Sequence, residues 1–191
     1  MPMRLLLLDN YDSFTWNLHH LLEPWGQVDV RRNDAITVDE AATFDRIILS
    51  PGPGLPSEAG IMPELVGRLM PTRPILGVCL GLQAIVESCG GGLLNMPAVR
   101  HGVAVPCHLA QPADPLFKGM GPTVEVGLYH SWAADPSTFP GDLNVIATSA
   151  EGTIMALRHR QRPTWAVQFH PESVLTPLGP RMIGNWMELC G

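Results

Sequence analysis

The segment Gly77-Val78-Cys79-Leu80-Gly81 follows the apolar run Pro74-Ile75-Leu76 and has the form of a thiol nucleophile elbow, the sharp turn from a buried strand into a helix. Glycines two residues to either side of the cysteine permit the unusual backbone angles and close approach that such a turn needs. The thiol then projects at a helix N-terminus, where free amides and the macrodipole favour thiolate over thiol. Taken alone, the pentapeptide also fits a buried free cysteine packed as a small hydrophobe. Far downstream, Trp165-Ala166-Val167-Gln168-Phe169-His170-Pro171-Glu172-Ser173 runs a short apolar strand out into a histidine and a carboxylate. Residues two apart on extended backbone point to one side, so Glu172 can bind one imidazole nitrogen of His170 while the other faces outward. Of the seven histidines, only His170 combines a strand end with a carboxylate at that spacing. Cys79, His170 and Glu172 are therefore candidates for the nucleophile, base and orienting group of a Cys-His-Glu triad. A solvated His-Glu surface pair is the alternative for the second motif by itself.

A third piece is Ser50-Pro51-Gly52-Pro53-Gly54, after the apolar run Arg46-Ile47-Ile48-Leu49. Alternating Pro and Gly builds a rigid loop with a few exposed amides, and the N–H groups of Gly52 and Leu80 could serve an oxyanion. An ordinary tight turn fits the same loop. Other candidates carry less. His130 precedes Ser131 but has no carboxylate two or three residues away, which favours a structural or substrate-lining role. His101 and His108 lack ligand-spaced Cys, Asp or Glu, so no metal is expected. Asp9 and Asp12 read as turn formers at a strand end, and Ser13 as a possible helix cap.

In this order and spacing the pieces resemble the class I, triad-type glutamine amidotransferases over nearly the whole chain. Asp9-Asn10-Tyr11-Asp12-Ser13-Phe14-Thr15 is similar to the opening of the small subunits of anthranilate synthase and aminodeoxychorismate synthase. Gly77-Val78-Cys79-Leu80-Gly81-Leu82-Gln83, Tyr129-His130-Ser131 and His170-Pro171-Glu172-Ser173 match further family segments, and Arg158-His159-Arg160 precedes the last catalytic strand as it does there. The resemblance implies Cys79 as nucleophile, His170 as general base and acid, and Glu172 as its orienter. It implies glutamine contacts from Gly52, Pro53, Gly54, Leu80, Gln83, Ser131 and Trp132. The implied reaction is hydrolysis of L-glutamine through a γ-glutamyl thioester, with ammonia passed to a large chorismate-binding synthase subunit that uses its own magnesium; this chain needs no cofactor. Leu128, Trp132 and Val103 stand where the family commonly has Arg, Leu and Lys, which bears on subtype and docking and leaves the elbow and triad untouched. The competing readings are a stand-alone thiol hydrolase of γ-glutamyl substrates and a non-catalytic docking subunit; Gln83 and the opening segment speak against the first, an intact triad against the second.

The elements that must position these residues alternate in βαβ order. Strands are expected at Arg4 to Asp9, Val28 to Arg32, Arg46 to Leu49 and Pro74 to Val78. Helices are expected from about Phe14 to Trp25, Pro63 to Met70 and Leu80 to Cys89. That order predicts an α/β fold: an open, mostly parallel sheet with helices on both faces, flavodoxin-like, with its ligand site beyond the carboxyl ends of the strands. After the Gly90-Gly91-Gly92 break, short strands at Val103 to Cys107, Thr123 to Tyr129, Val145 to Ser149 and Ile154 to Arg158 predict a smaller antiparallel portion, and a helix near Pro180 to Leu189 closes the chain.

A single domain over residues 1–191 is expected, since 46% hydrophobic against 16% charged residues suits a substantial core. The net charge of −6, with no Lys or Arg run, argues against nucleic acid. Leu5 to Leu8 is cut off by Asp9, too short for a membrane span or signal core. Cys79, Cys89, Cys107 and Cys190 have neither metal spacing nor the density of a disulfide scaffold, so a cytoplasmic protein is expected.

Overall fold

The computed structural model describes residues 2–190, with the side chains of residues 98 and 99 outside the description. Strand β1 (Arg4–Asp9) leads into helix α1 (Thr15–Leu22), which ends in a 3₁₀ turn over Glu23–Trp25. The single helix expected to Trp25 is thus divided, because Pro24 offers no N–H to continue the ladder. Ser13 is not the cap: Asp12 Oδ2 accepts from the N–H of Phe14 at 2.7 Å instead. Strand β2 (Gln27–Arg32) precedes α2 (Val38–Ala41), a turn that sequence reading passed over. A capping box starts it, Thr37 and Glu40 each accepting the other's backbone N–H. Then come β3 (Arg46–Leu49), α3 (Met62–Leu69), β4 (Ile75–Val78) and α4 (Leu80–Ser88). Helix α4 stops in a Schellman motif, with Gly90 at φ 88° and the N–H of Gly91 donating to Val86 O at 2.9 Å.

The second half supplies β5 (Leu93–Leu109), β6 (Thr123–Ala134), β7 (Leu143–Ser149), β8 (Ile154–His159), β9 (Thr164–Val167) and α5 (Gly179–Leu189). Strands β5 and β6 run well past the expected 103–107 and 123–129, because each is the other's long antiparallel partner; slips in their register absorb the extra length. Among the described residues the nine strands form one sheet in the order β2-β1-β3-β4-β9-β8-β7-β5-β6. The first five are parallel and the rest antiparallel.

Period-2 alternation splits the buried strands between two cores. Leu5, Leu7, Ile48, Leu76 and Val78 face one side with Leu18 and Leu22 of α1 and Ile183 and Trp186 of α5. Leu6, Leu8, Ile47, Leu49 and Ile75 face the other with α2, α3 and α4. Strands covered on both faces read as unbroken apolar runs, which is why Leu5 to Leu8 carries no polar residue. Neighbours β1, β3, β4 and β9 all point the same way, so the loops after them emerge side by side at one end of the sheet.

Candidate active site

Cys79 sits between β4 and α4 at φ 52°, ψ −99°, a conformation that costs a non-glycine residue about 1–3 kcal/mol. The surroundings enforce it. The Cys79 N–H donates to Val167 O at 2.8 Å, and the flanking glycines make room: a Cβ on Gly77 would stand 2.7 Å from the backbone of Gly81, and one on Gly81 2.7 Å from Leu49 Cβ. The side chain is almost wholly buried but lines two pockets.

Strand β9 brings in the histidine. Pairing of Val78 with Val167 sets the two strand ends level, and the following residues place His170 and Glu172 beyond them. His170 Nδ1 and Glu172 Oε1 are 2.7 Å apart, with both side chains buried. The backbone N–H of His170 donates to Gly127 O at 3.0 Å and its carbonyl accepts from Thr176 Oγ1 at 2.7 Å. Its ring is walled by Tyr129, centroids 4.8 Å apart, and by Phe14 at 5.6 Å. Burial disfavours the charged ring, yet the nearby Cys79 sulfur and the bonded Glu172 outweigh it and lift the pKa from 6.5 to about 10. Nε2 is buried and makes no hydrogen bond to a described residue.

The loop after β3 lies against the loop after β1. Asn10 N–H donates to Ser50 Oγ at 2.8 Å, and Asn10 Nδ2 to Ser50 O at 2.9 Å. Gly52 approaches so closely that a Cβ would meet Asn10 O at 2.5 Å, and Gly54 takes φ 72°. Neither the amide of Gly52 nor that of Leu80 donates to any described residue, which leaves both free for an incoming oxyanion.

A pocket of about 140 Å³ is lined by Cys79, Gly52, Pro53, Gly54, Gln83, Ser131 and Trp132, together with Tyr129 and His130. Of the expected substrate contacts only Leu80 does not line it; its side chain is buried under Gly52, so only its amide can serve. Gln83 Nε2 donates to Trp132 O at 3.0 Å, and His130 Nδ1 donates to the same carbonyl at 2.9 Å, tying β6 to α4. His130 is buried, and burial pushes its pKa down. A second pocket of about 330 Å³ joins Cys79 and His170 to Tyr11, Asp12, Phe14 and His101. His101 therefore reaches the site mouth, its ring against Tyr129. Of the three departures, Val103 pairs with Leu128 across β5 and β6 and is partly exposed while Leu128 is buried, and Trp132 lines the smaller pocket.

Sequence reading missed Phe14 as a wall of the imidazole and Gln168 as a contact of the sulfur, Nε2 to Sγ 3.4 Å. The parity of Gln168, His170 and Glu172 was a signal for the second; nothing local signalled the first. Among the described residues, ligand atoms of His19, His20 and Glu23 lie within 4.8 Å of one another, but none of these lines either pocket at Cys79. The other thiols differ in surroundings: burial pushes Cys107 up to about 12 and Cys190 up to about 11.

A family model described as glutamine amidotransferase class-I matches residues 6–189. The chain is 40% identical over 187 residues to aminodeoxychorismate synthase component 2 of Escherichia coli, an alignment covering 96% of this chain and 99% of that protein. It is 43% identical over 190 residues to anthranilate synthase component 2 of Thermus thermophilus, covering 97% and 92%. Aminodeoxychorismate/anthranilate synthase component 2 of Bacillus subtilis is 40% identical over 187 residues, covering 96% and 95%. The crystal structure of a Thermoplasma acidophilum protein described as a GMP synthase subunit matches with a TM-score of 0.88 at 25% identity, covering 100% of this chain and 94% of that one.

Proposed function

The chain belongs to the class I glutamine amidotransferases, and from that premise we propose that it is a glutaminase subunit hydrolysing L-glutamine at Cys79, His170 and Glu172 and feeding ammonia to a chorismate-using synthase partner. The observation that carries the reading is the buried 2.7 Å pair of Glu172 and His170, with His170 lining the same pocket as a cysteine held at positive φ. Bonded to Glu172 through Nδ1, the imidazole keeps Nε2 for proton transfer. The sulfur anion attacks the γ-carboxamide carbon, and the new oxyanion is met by the amides of Gly52 and Leu80. His170 protonates the departing amine, so ammonia leaves a γ-glutamyl thioester. Water then adds with His170 taking its proton, and glutamate is released. Gly52, Pro53, Gly54, Gln83, Ser131 and Trp132 surround the substrate.

Relatives named as component 2 of anthranilate and aminodeoxychorismate synthases support a large synthase component as the acceptor of ammonia. A glutamine-analogue electrophile such as a diazoketone tests the assignment directly. It should modify the wild-type chain at Cys79 and leave Cys79→Ser unmodified; equal labelling of the variant overturns the assignment.

A further inference from the structure

The segment that carries His170 and Glu172 holds a third polar side chain of the same parity, Gln168. It is wholly buried. Its Nε2 donates to Cys79 Sγ at 3.4 Å, while its Oε1 is buried with no partner among the described residues. A carboxamide paired at only one end costs stability that an apolar side chain of equal length avoids, so packing does not explain its presence. With the Cys79 N–H bonded to Val167 O, the nucleophile is tied to the end of β9 at two adjacent points, through its backbone and through its sulfur. Gln168 meets the sulfur from within the protein, where no water competes.

We infer that Gln168 is a catalytic residue of glutamine hydrolysis, its side-chain amide donating to the anionic sulfur of Cys79 and so governing both the charge of the nucleophile and its quality as a leaving group. The inference rests on the assignment of Cys79 as the nucleophile. A thiolate accepts a hydrogen bond far better than a thioester sulfur does, so the bond is strong when the sulfur is ionised, weak in the acyl-enzyme and re-forms as the thioester breaks. In that step water adds to the γ-carbonyl carbon and gives its proton to His170. The C–S bond breaks, its electron pair returns to sulfur where the Gln168 amide receives it, and glutamate departs. The bond thereby favours deacylation.

The test is the pH profile of Cys79 alkylation by iodoacetamide, read by peptide mass in wild type, Gln168→Met and Gln168→Glu. Loss of a hydrogen bond to a charged group should slow labelling on the acid limb by about tenfold in Gln168→Met. Gln168→Glu should be slowed further, because its carboxylate repels the sulfur anion. Rapid acid quench of Gln168→Met turning over glutamine should trap a γ-glutamyl adduct that wild type does not accumulate. Profiles that superimpose on wild type overturn the inference. Independently of how the variants fold, the side-chain amide resonances of Gln168 in the wild-type chain should move with the titration of Cys79 and stop moving in Cys79→Ala; resonances indifferent to that titration also overturn it. A wild-type chain whose Cys79 resists the diazoketone would instead defeat the glutaminase assignment itself.

Discussion

In the proposed reaction Glu172 acts through one oxygen and one nitrogen. Its 2.7 Å bond holds the tautomer of His170 with Nε2 free, and its charge supports the imidazolium that forms when the sulfur ionises. Glu172→Gln preserves shape but removes the charge and offers an amide as well as an oxygen to Nδ1, so glutamine turnover should fall by about 10²- to 10⁴-fold, measured as ammonia release in the presence of the synthase partner. The same pair leaves a mark on stability. Against burial, the Cys79 sulfur and Glu172 together raise the folded-state pKa of His170 from 6.5 to about 10, so their contribution is fully present below pH 6.5 and is lost as pH rises toward 10. The gap in urea midpoint between wild type and Glu172→Gln should therefore be widest below pH 6.5 and narrow toward pH 10; a gap constant over that range would contradict an imidazolium-carboxylate pair.

At the scale of elements, the elbow is a close crossing of β4, α4 and β3 that only hydrogen atoms can fill. A methyl group at Gly77 would press on the carbonyl of Gly81, and one at Gly81 on Leu49, each at 2.7 Å. Backbone atoms cannot swing aside as a flexible side chain can. Gly77→Ala should lower stability by about 1–3 kcal/mol in urea unfolding and slow Cys79 labelling at the same time, since relief of the clash must move the turn itself. A substitution at Gly90 is a useful contrast: its added Cβ meets nothing within 4 Å, yet φ 88° strains any L residue there. Gly90→Ala should therefore cost about 1 kcal/mol with normal labelling of Cys79. The hairpin of β5 and β6 contributes differently, by carrying Tyr129 to His170 and the Trp132 carbonyl to Gln83.

For the whole molecule, the two halves of the site meet because β9, last of the strands in the chain, inserts beside β4 in the middle of the sheet. In the proposed reaction ammonia formed there is useful only to an acceptor, and the larger pocket at Cys79 is lined by Tyr11, Asp12 and Phe14. In a reconstituted complex, Cys79→Ala should abolish glutamine-dependent synthase turnover and spare turnover driven by added ammonium; equal loss of both would argue against an ammonia-supplying role. Much of this was legible in the residues alone. The elbow, the His170-Glu172 parity and the βαβ order are local patterns, dictated by neighbours within a few positions, and the resemblance of the motifs to a known family joined them. Short-range signals also held for the apolar strands Leu5 to Leu8 and Ile47 to Leu49, whose burial on both faces excludes polar residues. They failed where the deciding contact is remote. The length of β5 depends on β6, the wall at His170 depends on Phe14 from the far end of the chain, and the free Nε2 and the Gln168 contact exist only after β4 and β9 pair. Sequence by itself determined which groups could react and the kind of sheet that holds them, because side-chain chemistry and backbone periodicity are local properties. Tertiary structure decided which of those groups touch, because contacts between distant segments are set by strand order and core packing, which no single stretch of chain contains.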